Sequence, residues 1–377
     1  MTDYSQTAPA RLSTRLAFFS AGFAMACLAP LFPFIKAQVG ANEGLFGLIL
    51  LCLGLGSIIA MPVTGIISAR YGAKPMILLG GFGLVALLPL LTLAPTPIIL
   101  GGILFLFGAS LGTIDVAMNV HGAEIEGLEQ RPLMSNFHAQ FSIGGFFGAA
   151  LVTVLLSIGL EFHIAAFIGA ALTLLAMALS RNGLMSVSGE EPEPFKFPQG
   201  IVLLLALLAG ITFLVEGAVL DWGALLIIDQ ELAARENAGI GYILFSIAMV
   251  IARLSGDRII AVLGGLKVLI LGGFLTIFGI AIVLLAPLPL IAQSGFIFIG
   301  LGAANLVPII FSAAGRQKIM PSSLAVASVT TTGYAGILLG PALIGFAANL
   351  SSLATAFWLL AVLIAVIPFT AKIVARV

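Results

Sequence analysis

Within GASLGTIDVAMNVHGAEIE, from Gly108 to Glu126, a carboxylate at Asp115 stands in an otherwise apolar run, and the first charged residue N-terminal to it is Lys74. The stretch from Pro97 to Met118 is long enough to cross a bilayer at about 1.5 Å per helical residue. An aspartate near the centre of a spanning helix costs about 2.5 to 3.5 kcal/mol on insertion scales, and such groups face a cavity or a partner rather than lipid. Low dielectric also disfavours the charged form of a carboxylate. Asp115 is therefore the first candidate for proton coupling. Asn119 follows one turn later and Glu126 seven residues beyond it, so the three share one helical face. The chemistry these spacings suggest is proton binding in a polar stripe inside the membrane.

Other polar residues inside apolar runs extend this set. Glu216 lies midway along a second such run, where it could bind a proton or a substrate hydroxyl. Asp221 and Trp222 sit nearer its outer end. They offer a carboxylate and a flat ring for a sugar-like solute, or else a cap at a helix break and a ring in the interfacial belt. His138 titrates near neutrality and is a further proton candidate, although a lone histidine is more often structural. Asn119, His138, Gln140, Asn305 and Tyr334 could hydrogen-bond a polar solute or, alternatively, tie helices together. Glu124, Glu126, Glu129 and Arg131, at the inner end of the Asp115 helix, suit a solvated helix end or an inner-gate ion pair. His121 and His163 are expected at the interface. Cys27 and Cys52 lie in separate apolar segments and are expected to be packing residues. The sequence contains neither a His/Cys/carboxylate cluster at metal spacing nor a phosphate-cradling Gly-rich loop. No metal, cofactor or ATP hydrolysis is expected.

The elements that must position these groups follow from composition. Apolar residues make up 60% of the chain and charged residues 8%, with a mean hydropathy of +1.21, which is the multi-spanning membrane class. A net charge of zero gives no reason to expect a nucleic acid partner. The 44 glycines fit close helix packing in lipid. Apolar runs and their breaks define twelve spans, at roughly 15–36, 44–69, 75–94, 97–122, 133–159, 162–181, 199–228, 238–255, 267–286, 289–314, 322–348 and 352–372. The first run lacks a cleavage site and is expected to be a retained helix. With cytoplasmic termini, fourteen of the sixteen basic residues fall inside, leaving only Lys36 and Arg235 outside.

The longest polar break, 182–198, carries Glu190, Glu191, Glu193 and Lys196 and divides the chain into 1–181 and 199–377. The two parts echo each other. LGTID at 111–115 answers LGAAN at 301–305, pairing Asp115 with Asn305, and SIGGFFGAAL at 142–151 answers YAGILLGPAL at 334–343. An all-α membrane protein of twelve helices in two pseudo-symmetric six-helix bundles is the expected architecture.

These features resemble the major facilitator superfamily over essentially the whole chain. GIISARYGAK, from Gly65 to Lys74, is similar to that family's signature loop between helices 2 and 3, keeping Gly65, Arg70, Gly72 and Lys74 but with Ala69 at the aspartate position. RLSGDR, from Arg253 to Arg258, is the matching loop in the second half and retains an Asp-Arg pair. The resemblance implies gating roles for Arg70, Lys74, Glu126, Arg131, Arg253, Asp257 and Arg258. DVAMN at 115–119, EGAVLDW at 216–222 and TTGYAGILLGPALIG at 331–345 resemble the YbjJ-type branch and, more distantly, fucose permease. That likeness implies a coupling carboxylate at Asp115, while the permease's second acidic position is Ala29 here.

The expected function is secondary transport of a small polar solute, in one version sugar-like, by proton-coupled symport through a monomer in the cytoplasmic membrane. The alternatives are proton-driven efflux of drug-like or metabolic compounds and a receptor or assembly protein that does not transport. An enzyme is not expected, since no nucleophile and base stand paired.

Overall fold

Inside hydrocarbon a backbone N–H or C=O has no water to bond, so a spanning segment must pair its own groups, and the helix does this within one segment. The computed structural model describes residues 7–41, 43–185, 197–232 and 240–377. Lys196 and Arg235, used above for orientation, and residues 186–196 of the expected linker lie outside that set. The described residues form α1 Thr7–Gln38, α2 Glu43–Tyr71, α3 Ala73–Thr92, α4 Pro97–Glu129, α5 Met134–Ser157, α6 Phe162–Arg181 and α7 Ile201–Asp229. They continue with α8 Ile240–Leu263, α9 Gly265–Leu285, α10 Pro289–Ala303, α11 Leu306–Arg316, α12 Ser322–Leu350, α13 Leu353–Ile364 and α14 Val366–Val374. Ten segments are long and apolar enough to cross a membrane, with α10–α11 and α13–α14 each counted as one span. With α8 and α12 the described helices account for the twelve expected spans.

Local sequence explains where helices start and break. Thr96 caps α4 by accepting from Ile99 N, with Pro97 in the first turn, where a missing N–H costs nothing. The sequence reading expects one helix over 289–314 and one over 352–372, whereas the structure interrupts both. Each interruption lies about four residues before a proline. Pro308 has no N–H for the carbonyl of Ala304, and Pro368 has none for that of Ile364. Met118 stands where Pro308 stands in the repeat that pairs Asp115 with Asn305, and α4 runs unbroken. A proline alone does not interrupt a helix, since α2 and α3 continue through Pro62 and Pro89.

A second correction concerns the two signature stretches expected as loops. Residues 65–71 belong to α2, and RLSGDR lies wholly within α8. The chain turns only at Gly72 and Gly264, both at φ 79°, a left-handed conformation that glycine adopts without strain.

By packing, the chain divides into two units. The first comprises the described residues of Met1–Gln130, Phe137–Phe197 and Met320–Ala327. The second comprises those of Arg131–Asn136, Pro198–Ile319 and Ser328–Val377. Each unit is held by glycine-lined helix contacts, because lipid provides no hydrophobic drive and close backbone approach must supply the attraction. In the first unit, a Cβ on Gly108 would strike the carbonyl of Leu53, and one on Gly112 would lie 2.7 Å from that of Ser57. Ser57 Oγ donates to Gly108 O at 2.7 Å across the same α2–α4 seam. In the second unit, Gly279 and Gly295 face each other between α9 and α10, each Cβ position 2.6 to 2.7 Å from the other's carbonyl oxygen.

Gly108→Val is expected to force α2 from α4 and to destabilise the fold by about 1–3 kcal/mol or more. Gly127→Ala, where an added Cβ meets nothing within 4 Å, is expected to be neutral or slightly stabilising. Thermal unfolding of both variants in detergent checks the contrast, and equal losses would contradict the seam.

Candidate functional site

The first unit gathers Asp115, Asn119 and His138. Asp115 lies on α4 with 8% of its surface exposed, and among the described residues no donor bonds its carboxylate. One turn on, the fully buried Asn119 donates through Nδ2 to the backbone carbonyl of Asp115 at 2.9 Å. Its Oδ1 is thereby the acceptor facing His138 Nε2 at 3.1 Å, which makes His138 the donor through Nε2–H. The ring of Phe18 covers His138 at 5.3 Å, and Phe137 stacks on Phe18 at 5.8 Å. The result is a carboxylate without a countercharge among the described residues, one turn from an amide that bonds an imidazole, the imidazole itself against Phe18. Gln140, two residues beyond His138 on α5, is half-buried and makes no hydrogen bond within this group. Glu126 is buried two further turns along α4.

In the second unit the carboxylate has a partner. Arg253, buried on α8, sets Nη2 at 3.3 and 3.5 Å from the two oxygens of Glu216 on α7. Arg253 Nε donates to Ala304 O at 3.2 Å, the carbonyl that Pro308 leaves without its helical donor. Asn305 sits in the break between α10 and α11, and its Nδ2 donates to Ala252 O on α8 at 3.1 Å. Ser135 Oγ donates to Asn305 Oδ1 at 2.7 Å, and Asn136 N donates to Asp257 Oδ1 at 3.3 Å, both within the second unit as it is bounded here.

The remaining expected residues are dispersed. Asp221 is exposed and not gathered with Glu216. Trp222 packs its ring near Gly345, and its Nε1 is buried without a partner among the described residues. Tyr334 is half-buried on α12. Arg70 is exposed over the Tyr71 ring at 5.2 Å, Lys74 is half-buried, and Arg131 and Arg258 are exposed. The sequence reading places Arg253 in a loop, whereas it occupies the middle of a helix, buried, because α8 runs on to Leu263.

The comparisons with known proteins bear on this arrangement. The family model described as Major Facilitator Superfamily matches residues 15–318. The chain belongs to the major facilitator superfamily. Its architecture is the superfamily's twelve helices in two six-helix bundles, and it is a membrane transporter, not an enzyme. An uncharacterized MFS-type transporter of Yersinia pestis is 45% identical over 368 residues, covering 97% of this chain and 96% of that protein. An uncharacterized transporter of Sinorhizobium fredii is 31% identical, covering 94% and 96%. Among solved structures, a variant of the E. coli fucose:proton symporter FucP superposes with a TM-score of 0.80 at 17% identity, covering 99% of this chain and 100% of that one. The human organic anion transporter MFSD10 does so with 0.79 at 14%, covering 97% and 99%. At these identities the structures establish the fold alone.

Residues of this superfamily member that the sequence reading missed include a buried clasp. His121, expected at the interface, is fully buried. Met185 N donates to its Nε2 at 3.0 Å, so Nδ1 carries the proton and donates to Thr14 Oγ1 at 2.9 Å. Thr14 in turn donates to Ala10 O at 2.8 Å. Arg11 also lies 2.9 Å from Glu129, closing the ends of α1 and α4. Only the position of His121 inside an uncharged run hinted at burial. His121→Leu leaves the Met185 amide without an acceptor and is expected to cost about 1–3 kcal/mol. Faster amide exchange at Met185, with α9 unchanged, would register the loss.

Proposed function

We propose that the protein is a proton-coupled symporter of a small polar solute, sugar-like in the version closest to the fucose:proton symporter. The observation that carries this reading is Asp115, a nearly buried carboxylate on a spanning helix to which, among the described residues, no donor is bonded and no cation is paired. Such a group is costly to keep charged in a low dielectric, and protonation relieves the cost. Neutralising it alters the relative stability of the inward-open and outward-open packings by as much as the charge interacts differently with each. Glu216, already opposed by Arg253, is the weaker candidate for this step. His138, linked through Asn119 to the backbone carbonyl of Asp115, supports the reading as a polar neighbour able to orient a solute hydroxyl.

As solute-binding groups we assign Asn119 and His138 in the first half, and Asn305 and Tyr334 in the second. The halves we assign are 1–181 and 199–377, joined by 182–198. The transporter would lie in the cytoplasmic membrane with both termini inside, as its basic residues favour.

Proteoliposomes loaded with a pH-sensitive dye and offered sugars, organic acids and drug-like cations test the proposal. One class of polar solute is expected to drive proton entry in the wild type, and Asp115→Asn is expected to abolish that proton flux. The direction of flux separates symport from efflux by exchange. A solute carried by the wild type without proton movement would overturn the assignment.

A further inference from the structure

A proline inside a spanning helix leaves one carbonyl without its donor, and in hydrocarbon that carbonyl must find another. Pro308 does this to Ala304, four residues earlier, which lies just past the end of α10 at Ala303. Ala304 N bonds Gly300 O at 3.2 Å before the break, and Ile309 N bonds Asn305 O at 3.3 Å after it. The donor to Ala304 O comes from outside the helix. It is Arg253 Nε, on α8, at 3.2 Å. The same guanidinium holds Glu216 on α7 through Nη2. Asn305, inside the break, returns a bond to α8 at Ala252 O.

We infer that Arg253 is a positioning residue that latches the α10–α11 break, supplying the donor that Pro308 removes and tying the break to the charge of Glu216. The guanidinium is planar, with donors fixed in a fork. Nε can therefore serve Ala304 only while Nη2 points where Glu216 lies. With Glu216 neutral, the ion pair that orients Nη2 is lost, and the fork is no longer held against Ala304 by that charge. The break then loses its latch. Broken helices in transporters are where backbone groups become available at the membrane's middle, so the latch would let a proton on Glu216 act on the α10–α11 span at a distance.

Other charged or titratable groups lie on the same elements. On the elements around Glu216 these are Asp221 and Asp229 on α7 itself, Tyr242, Asp257 and Arg258 on α8, Arg316 on α11, Tyr334 on α12 and Lys372 on α14. Among the described residues only Arg253 comes within ion-pair distance of Glu216. The inference stands apart from the role given to Asp115, since its test reads the backbone and needs no transported solute.

The test is amide hydrogen exchange over residues 300–312 of the full chain in lipid nanodiscs, with α4 as the internal control. Arg253→Gln and Glu216→Gln are each expected to speed exchange at the break by about tenfold while leaving α4 unchanged. Pro308→Ala restores an N–H that can serve Ala304. Added to either variant, it is expected to return the break to the protection seen in Pro308→Ala alone. Continued fast exchange in Arg253→Gln/Pro308→Ala would show that Arg253 does not act as the missing donor and would overturn the inference. Wild-type protection in Glu216→Gln would overturn the tie to Glu216. Should Arg253→Gln fail to fold, the Glu216→Gln pair, with and without Pro308→Ala, decides the question without touching the arginine.

Discussion

The constraint on which this structure depends is that polar groups inside the membrane must be paired within the protein. It makes the described chain helical from end to end, and it gives unusual weight to each place where the helical ladder fails. Pro308 creates one such place, and the fold answers it with a buried arginine. A buried arginine is itself a cost, which Glu216 offsets. One missing N–H thus draws three helices, α7, α8 and α10, into a single polar cluster.

The internal repeat shows how the same scaffold carries two electrostatic solutions. Asp115 and Asn305 occupy matching positions in LGTID and LGAAN. In the first half the helix is continuous, the carboxylate has no countercharge among the described residues, and its neighbours are an amide and an imidazole. In the second half the matching residue is an amide at a break, and the charge is carried by a carboxylate on another helix with an arginine beside it. The difference between a carboxylate with no countercharge among the described residues and one beside an arginine arises from which partners each half supplies, not from the carboxylates themselves.

Much of the fold was legible without coordinates. Apolar run length gave the spans, the basic residues suggested an orientation, and the repeated motifs indicated two related bundles. Asp115 stood out because an isolated acid in a spanning run is expensive enough to need a purpose. Other site residues were legible only as types. Glu216 reads as a free carboxylate because its partner Arg253, thirty-seven residues away, reads as part of a loop. His121 reads as interfacial because its partners, Thr14 and Met185, are far apart in sequence.

The sequence by itself determined that this chain crosses a membrane about twelve times, where prolines must deprive a helix of a donor, and which acids lie too deep to be solvated. Those properties follow from local composition and the per-residue rise of a helix. Only the tertiary structure decided which of those acids meets a cation, which side chain replaces the donor that Pro308 lacks, and which histidine is sealed inside. Those outcomes depend on pairings between helices distant in the chain, and pairing depends on the angles and depths at which glycine-lined surfaces allow helices to meet.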